Sequence, residues 1–152
     1  MCTISALSAP PAAEADRVAV RLVRWGFPPS VEVVPEARGR LRAVLRDWPV
    51  TSDVVDALLL AVSELVANAV THAALVTEVV RVALGLDGPW VWLEVGDDHP
   101  FLPEISDPVD EAAEGGRGLF IVECAVADLA GGLDILPGSP GKAVRVRLPV
   151  AA

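Results

Sequence analysis

Residues 54–70 read Val54-Val55-Asp56-Ala57-Leu58-Leu59-Leu60-Ala61-Val62-Ser63-Glu64-Leu65-Val66-Ala67-Asn68-Ala69-Val70, an apolar run crossed by polar residues. Glu64, Asn68 and then His72 recur at a spacing of four. On a helix, residues four apart stack on one face about 6 Å from each other. Burying a carboxylate and an amide costs several kcal/mol unless each finds a polar partner. The run therefore predicts a long, nearly all-apolar helix with one polar stripe, and something polar lying against that stripe. With Asp56, Glu64 and Asn68 inside it, the run is not expected to span a membrane.

Thr51-Ser52-Asp53 supplies an N-cap for this helix, which is expected to end near Ala74. Upstream, Val18–Trp25 alternates loosely as a strand stopped by Gly26 and Pro28-Pro29. Pro35 opens a further helix to about Asp47, with Leu41, Val44, Leu45 and Trp48 on its apolar face. Downstream, Glu78–Leu86 and Trp90–Val95 alternate at period two around Asp87-Gly88-Pro89, a hairpin. Residues 97–116 lack any period and read as a loop, long enough to suggest function or disorder. Leu119–Ala130 is helical and is ended by Gly131-Gly132, and Leu133–Leu136 with Ala143–Leu148 forms a second hairpin. This order predicts an α+β fold: a two-layer α/β sandwich whose mixed, mostly antiparallel sheet is covered on one face by about three helices. Residues 1–16 read as a flexible Ala/Pro/Ser tail and 17–152 as a single domain.

The chain has 152 residues and a formal charge of −9, which argues against nucleic-acid or anionic-membrane partners. Its basic residues concentrate early. Arg38, Arg42 and Arg46 give one basic helical face, suited to solvent, an acidic partner or a second copy in a homodimer. Cys2 and Cys124 have no metal or redox spacing, and Cys124, in an apolar helical run, is expected to be buried. The first fifteen residues lack a positive start and are broken by Pro10-Pro11, so no signal peptide is read. A reducing, cytoplasmic location is expected.

Gly115-Gly116-Arg117-Gly118 follows the long loop and opens a helix, where backbone N–H groups favour anions. A dinucleotide fingerprint fails, because the third glycine and a preceding strand are missing. A phosphate-binding P-loop fails too: Ala143 follows Gly141-Lys142, and Leu136 stands where the first glycine belongs. Asp97-Asp98 ends a strong apolar strand, where a carboxylate can point into a pocket or simply end a turn. There is no zinc-type His/Cys pattern, since His72 and His99 are the chain's two histidines.

Taken together, Ser63–Ala73, Leu93–Asp98, Gly115–Val122 and the closing strand at Gly141–Pro149 resemble the GHKL (Bergerat-fold) ATP-binding domains of gyrase, mismatch-repair ATPases and sensor kinases. Within them the chain looks most like the small serine kinases that act as anti-sigma factors. The resemblance implies ATP and Mg²⁺ as ligands. Asn68 would offer an oxygen to the metal, and Glu64 would be the catalytic residue that orients or deprotonates the attacking group. Asp97 would accept from the adenine amino group. Gly116, Arg117, Gly118 and Leu119 would hold phosphates, with His72 near the same end and residues 98–115 as a lid.

Three departures from the family pattern stand out. Asp97 is followed by Asp98-His99-Pro100-Phe101 instead of Asp-x-Gly-x-Gly, Ala143 replaces a threonine near the adenine, and the lid is acidic. The implied function is a regulatory serine/threonine protein kinase acting as an anti-sigma factor, its substrate a STAS-like anti-anti-sigma partner. The alternative is a catalytically weak or inactive nucleotide-binding module that sequesters a sigma factor or another regulatory protein. A third reading is a metal-dependent hydrolase using Glu64, His72 and Asp97.

Overall fold

The computed structural model describes residues 20–100, 117–138 and 141–152. The expected tail at 1–16 lies outside them. In chain order the elements are β1 (Arg21–Phe27), α1 (Val33–Leu45), α2 (Ser52–Ala73), β2 (Val80–Asp87), β3 (Trp90–Asp97), α3 (Arg117–Asp128), β4 (Gly132–Pro137) and β5 (Lys142–Pro149). The five strands form one sheet in the order β1-β2-β3-β5-β4.

Every pairing is antiparallel, so the sheet is not mixed. The reason is the connectivity. β1–β2 and β3–β5 are joined across helices, and β4–β5 is a hairpin inserted so that β5 returns between β3 and β4. β3 and β4 run in the same direction on either side of α3, but β5 turns back from β4 and lies between them, so no two parallel strands are neighbours. The result is an α+β sandwich: α2 lies over β2, β3 and β5, α3 over β4 and β5, and α1 packs on α2.

Period-two alternation puts Val80, Val82, Leu84 and Leu86 of β2 beside Val91, Leu93 and Val95 of β3 on the helix-facing side. Val144, Val146 and Leu148 of β5 continue that layer. Against it α2 sets Val54, Leu58, Ala61, Val62, Leu65, Val66 and Ala69, all buried. Each fully buried Leu or Val contributes about 1.5–3 kcal/mol, so this interface dominates folding. By length and composition α2 is apolar enough to cross a membrane, but more than half of that window is buried inside the protein.

Three local details depart from the sequence reading. Thr51 is the N-cap of α2 with extended backbone, yet its hydroxyl donates to the Ala152 carbonyl at 2.9 Å instead of capping the helix. The left-handed residue after α3 is Ala130, at φ 58°, with the N–H of Gly131 closing on the Val126 carbonyl at 2.7 Å. Cys124 is exposed, not buried. Among the described elements α3 packs mainly on α2, β4 and β5, and on its outer side Ile121 is 42% exposed.

The helix-free face of the sheet is covered by its own long side chains. Trp92 lies over Gly85, where a Cβ would run into the indole ring. Arg145 stacks on Trp92 at 5.1 Å and Arg147 on Trp90 at 4.5 Å.

Candidate functional site

The polar stripe sits on the rim of α2, between its sheet-facing side and solvent. Glu64 and Asn68 are half-buried, and His72, in the last turn, is exposed. Two flanks of the helix have separate partners. On the α1 side, Arg38 donates to the Ser63 hydroxyl at 3.0 Å, and that hydroxyl donates to the Leu59 carbonyl at 2.8 Å. On the α3 side, Glu64 lies against Gly118: a Cβ there would stand 2.5 Å from Glu64 Oε2. Neither Glu64 nor Asn68 has a hydrogen-bond partner among the described residues.

Arg117 begins α3 and is exposed, Gly118 is half-buried and Leu119 is buried. The first turn of α3 carries no acidic residue. The first-turn N–H groups and the dipole of a helix make such an end attractive to an anion, and the missing side chain at Gly118 brings Glu64 close to it. Gly116, and residues 101–115 of the expected lid, lie outside the described residues.

Asp97 is the last residue of β3, on the helix-facing side, and is 6% exposed. Its Oδ1 accepts from Lys142 Nζ and from the His99 backbone N–H, both at 2.9 Å. Lys142 stands directly across the strand pair from Asp97, and both side chains are about nine-tenths buried. Gly141, at φ 89°, lets the turn before β5 close on β3, since a Cβ there would collide with the Asp97 carbonyl. The next residue is tied as well. The Asp98 N–H donates to the buried Thr77 hydroxyl at 3.0 Å, and Arg81 donates to Asp98 Oδ1 at 2.9 Å and to the Asp97 carbonyl at 3.2 Å. The chain after Asp97, where it departs from the family's Asp-x-Gly-x-Gly pattern, therefore leaves the sheet from a fastened base.

Sequence reasoning missed Thr77, Arg81 and the pairing of Lys142, and it read Arg38 as part of a basic face and not as a partner of Ser63. Lys142 had drawn notice as the end of a failed P-loop; its true neighbour is set by the β3–β5 register, which local pattern does not reveal.

Among the described residues no group of three or more His, Cys, Asp or Glu could hold a metal. Glu64, His72 and Asp97 thus form no hydrolase-type ligand set. Asn68 does fit Mg²⁺, which takes one or two protein oxygens and completes its shell with phosphates and water. The cradle at Gly118 fits phosphate on the same grounds. A separate concavity of about 520 Å³ lies on the helix-free face, lined by Arg24, Arg81, Glu94 and Arg145 over small residues such as Ala83 and Gly96. It includes none of the stripe, and Arg145 answers Glu94 there at 2.6 Å.

A half-buried carboxylate on one helix facing the glycine at the start of another, with an acid buried at the adjoining strand end, is an arrangement suited to a nucleotide and its metal. Residues 27–148 match the model of the histidine kinase-like ATPase domain, and the chain belongs to that family. Among solved structures, the RsbU and RsbW domains of Rv1364c from Mycobacterium tuberculosis match over 86% of this chain with TM-score 0.64 at 19% identity. A blue-light activated histidine kinase from Erythrobacter litoralis matches over 82% with TM-score 0.51 at 19% identity. The histidine kinase AdeS from Acinetobacter baumannii matches over 86% with TM-score 0.50 at 14% identity. At these identities the likeness is one of fold. This chain spans 32%, 46% and 68% of those three chains in turn. No curated protein matches the sequence.

Proposed function

We propose that this chain binds ATP with Mg²⁺ between α2 and α3 and acts in the cytoplasm as a regulatory serine/threonine kinase of the anti-sigma type. Its substrate would be a serine on a STAS-like anti-anti-sigma protein, with a sigma factor as the alternative partner. The observation that carries the reading is the approach of Glu64 to Gly118, which sets a carboxylate with no hydrogen-bond donor among the described residues beside the start of α3.

In this reading each residue has a physical task. The N–H groups at Arg117, Gly118 and Leu119 hold phosphate oxygens. The Asn68 side-chain oxygen holds the metal, which supplies neutralisation of phosphate charge. Asp97 accepts from the adenine amino group. Glu64 takes the proton of the attacking serine hydroxyl as its oxygen bonds to the γ-phosphorus and the bond to ADP breaks. His72, exposed beyond Asn68, sits farthest from this cluster along α2 and takes at most an accessory contact. The basic face formed by Arg38 and Arg42 of α1 with Arg46 at its C-cap offers a docking surface for an acidic partner or a second copy of the chain.

A second reading, nucleotide binding or sequestration without turnover, is favoured by one observation. Asp97 Oδ1 already serves Lys142 and His99, which leaves the base fewer acceptor positions. Calorimetric titration with ATP, with and without Mg²⁺, tests both. Wild type should bind, and Asn68→Ala should lose the Mg²⁺-dependent part. No binding by wild type at millimolar ATP, or equal binding by Asn68→Ala with Mg²⁺ present, refutes the nucleotide assignment. Glu64→Gln separates the two readings: it should bind ATP yet transfer no phosphoryl group, and partner control that survives this change would favour sequestration.

A further inference from the structure

We infer that Lys142 determines which purine the nucleotide subsite accepts, by occupying one oxygen of Asp97. The inference rests on the proposed assignment of Asp97 to the base. An ionised carboxylate is an acceptor with two oxygens and about four lone-pair positions. Free of other partners, it takes two parallel N–H donors, one on each oxygen, as it does with a guanidinium. Guanine presents such a pair, its ring N1–H beside its exocyclic amine. Adenine presents one donor group, its exocyclic amine, beside a ring-nitrogen acceptor. A lone aspartate would therefore favour guanine.

Asp97 is not alone. Oδ1 receives Lys142 Nζ and the His99 N–H, both at 2.9 Å, which fills its two lone-pair directions. Both donors are fixed. Lys142 is nine-tenths buried, paired with Asp97 by strand register and backed by Gly141, which is closed on the Asp97 carbonyl. The His99 N–H belongs to the backbone two residues on, where the chain is held through Asp98 by Thr77 and Arg81. Oδ2 carries no hydrogen bond among the described residues. One oxygen is enough for the single donor group of adenine. A guanine edge would bury a second N–H without an acceptor, a loss of about tenfold or more in affinity. Lys142 thus acts as a positioning residue that selects against the two-donor base.

The test compares dissociation constants for ATP, GTP and inosine triphosphate, which keeps the ring N1–H of guanine but lacks its amine. Calorimetry on the whole chain with Mg²⁺ gives these directly. Wild type should bind ATP most tightly and should not prefer GTP over inosine triphosphate. Lys142→Met should narrow the ATP-over-GTP preference about tenfold and bring a preference for GTP over inosine triphosphate. Lys142→Arg, which keeps a cation on Oδ1, should retain the wild-type order. The wild-type comparison requires no variant to fold. GTP binding to wild type about tenfold tighter than inosine triphosphate overturns the inference, as does Lys142→Met keeping the wild-type order while still binding ATP. Wild type that binds no nucleotide at all removes the base assignment of Asp97, and the role of Lys142 with it.

Discussion

Gly118→Ala should separate catalysis from stability. A Cβ at this position would lie 2.5 Å from Glu64 Oε2, whereas ordinary van der Waals contact begins at 3.4 Å. The carboxylate has to retreat by about 0.9 Å, and a misplacement near 1 Å at a reacting group costs about 100-fold in rate. The fold should hardly respond. Replacing Gly by Ala in a helix gains up to about 1 kcal/mol, and turning one flexible carboxylate off its rotamer costs about the same. The melting temperature should then stay within about 4 °C of wild type. Mg²⁺-dependent ATP turnover, a calorimetric ATP titration and a circular-dichroism melt together read the outcome. Turnover should fall by about two orders of magnitude while the melt hardly moves. Turnover within about threefold of wild type would refute the role given to Glu64, because the displacement would then cost far less than expected. A melting temperature lower by more than about 8 °C would show instead that the contact is rigid packing.

Four further variants probe the packing. Asp97→Ala leaves the Lys142 ammonium buried without a partner and should cost about 3–5 kcal/mol in urea unfolding. The double variant Asp97→Ala/Lys142→Met should cost less than Asp97→Ala alone; equal or greater loss would deny the pair its structural part. Gly85→Ala drives a methyl group into the Trp92 indole and should destabilise by about 1–3 kcal/mol, with a red shift in tryptophan emission as the ring lifts from the sheet. Ala130→Gly relieves a left-handed residue at φ 58° and should stabilise by up to about 1 kcal/mol, read as a higher urea midpoint.

The elements legible in the sequence are those in which one local periodicity meets one physical demand. Leu93 and Val95 alternate with Trp92 and Glu94 because a sheet with helices on one side demands it, and β3 runs as that pattern predicts. The stripe on α2 was legible because Glu64 and Asn68 stand at helical spacing among residues that bury. Cys124 was misread because periodicity shows that a helix has an apolar side but not how much of its circumference is covered. α3 lies at the sheet margin, and Ile121 on its outer side is exposed. Lys142 was missed for a topological reason. It lies 45 residues from Asp97 and meets it because β5 turns back beside β3 while its sequence neighbour β4 takes the edge. Contacts between strands that are not consecutive depend on the order of the whole sheet, which no window of sequence carries.

The two acids of the site differ in a way that bears on what each can do. Asp97 is held: a buried ammonium and a backbone N–H fix one oxygen, and removing the carboxylate strands that ammonium. Glu64 is not held, although it is half-buried on the most apolar helix and has no donor among the described residues. Its half-burial costs desolvation, which the dipole at the start of α3 offsets in place of a hydrogen-bond donor among the described residues. A group that moves a proton has to be free to gain it, whereas a group that reads a base has to stay where it is put. Under the proposed function the free acid belongs beside the phosphates and the held one beside the base. Glu64 next to Gly118 and Asp97 under Lys142 are placed in that order.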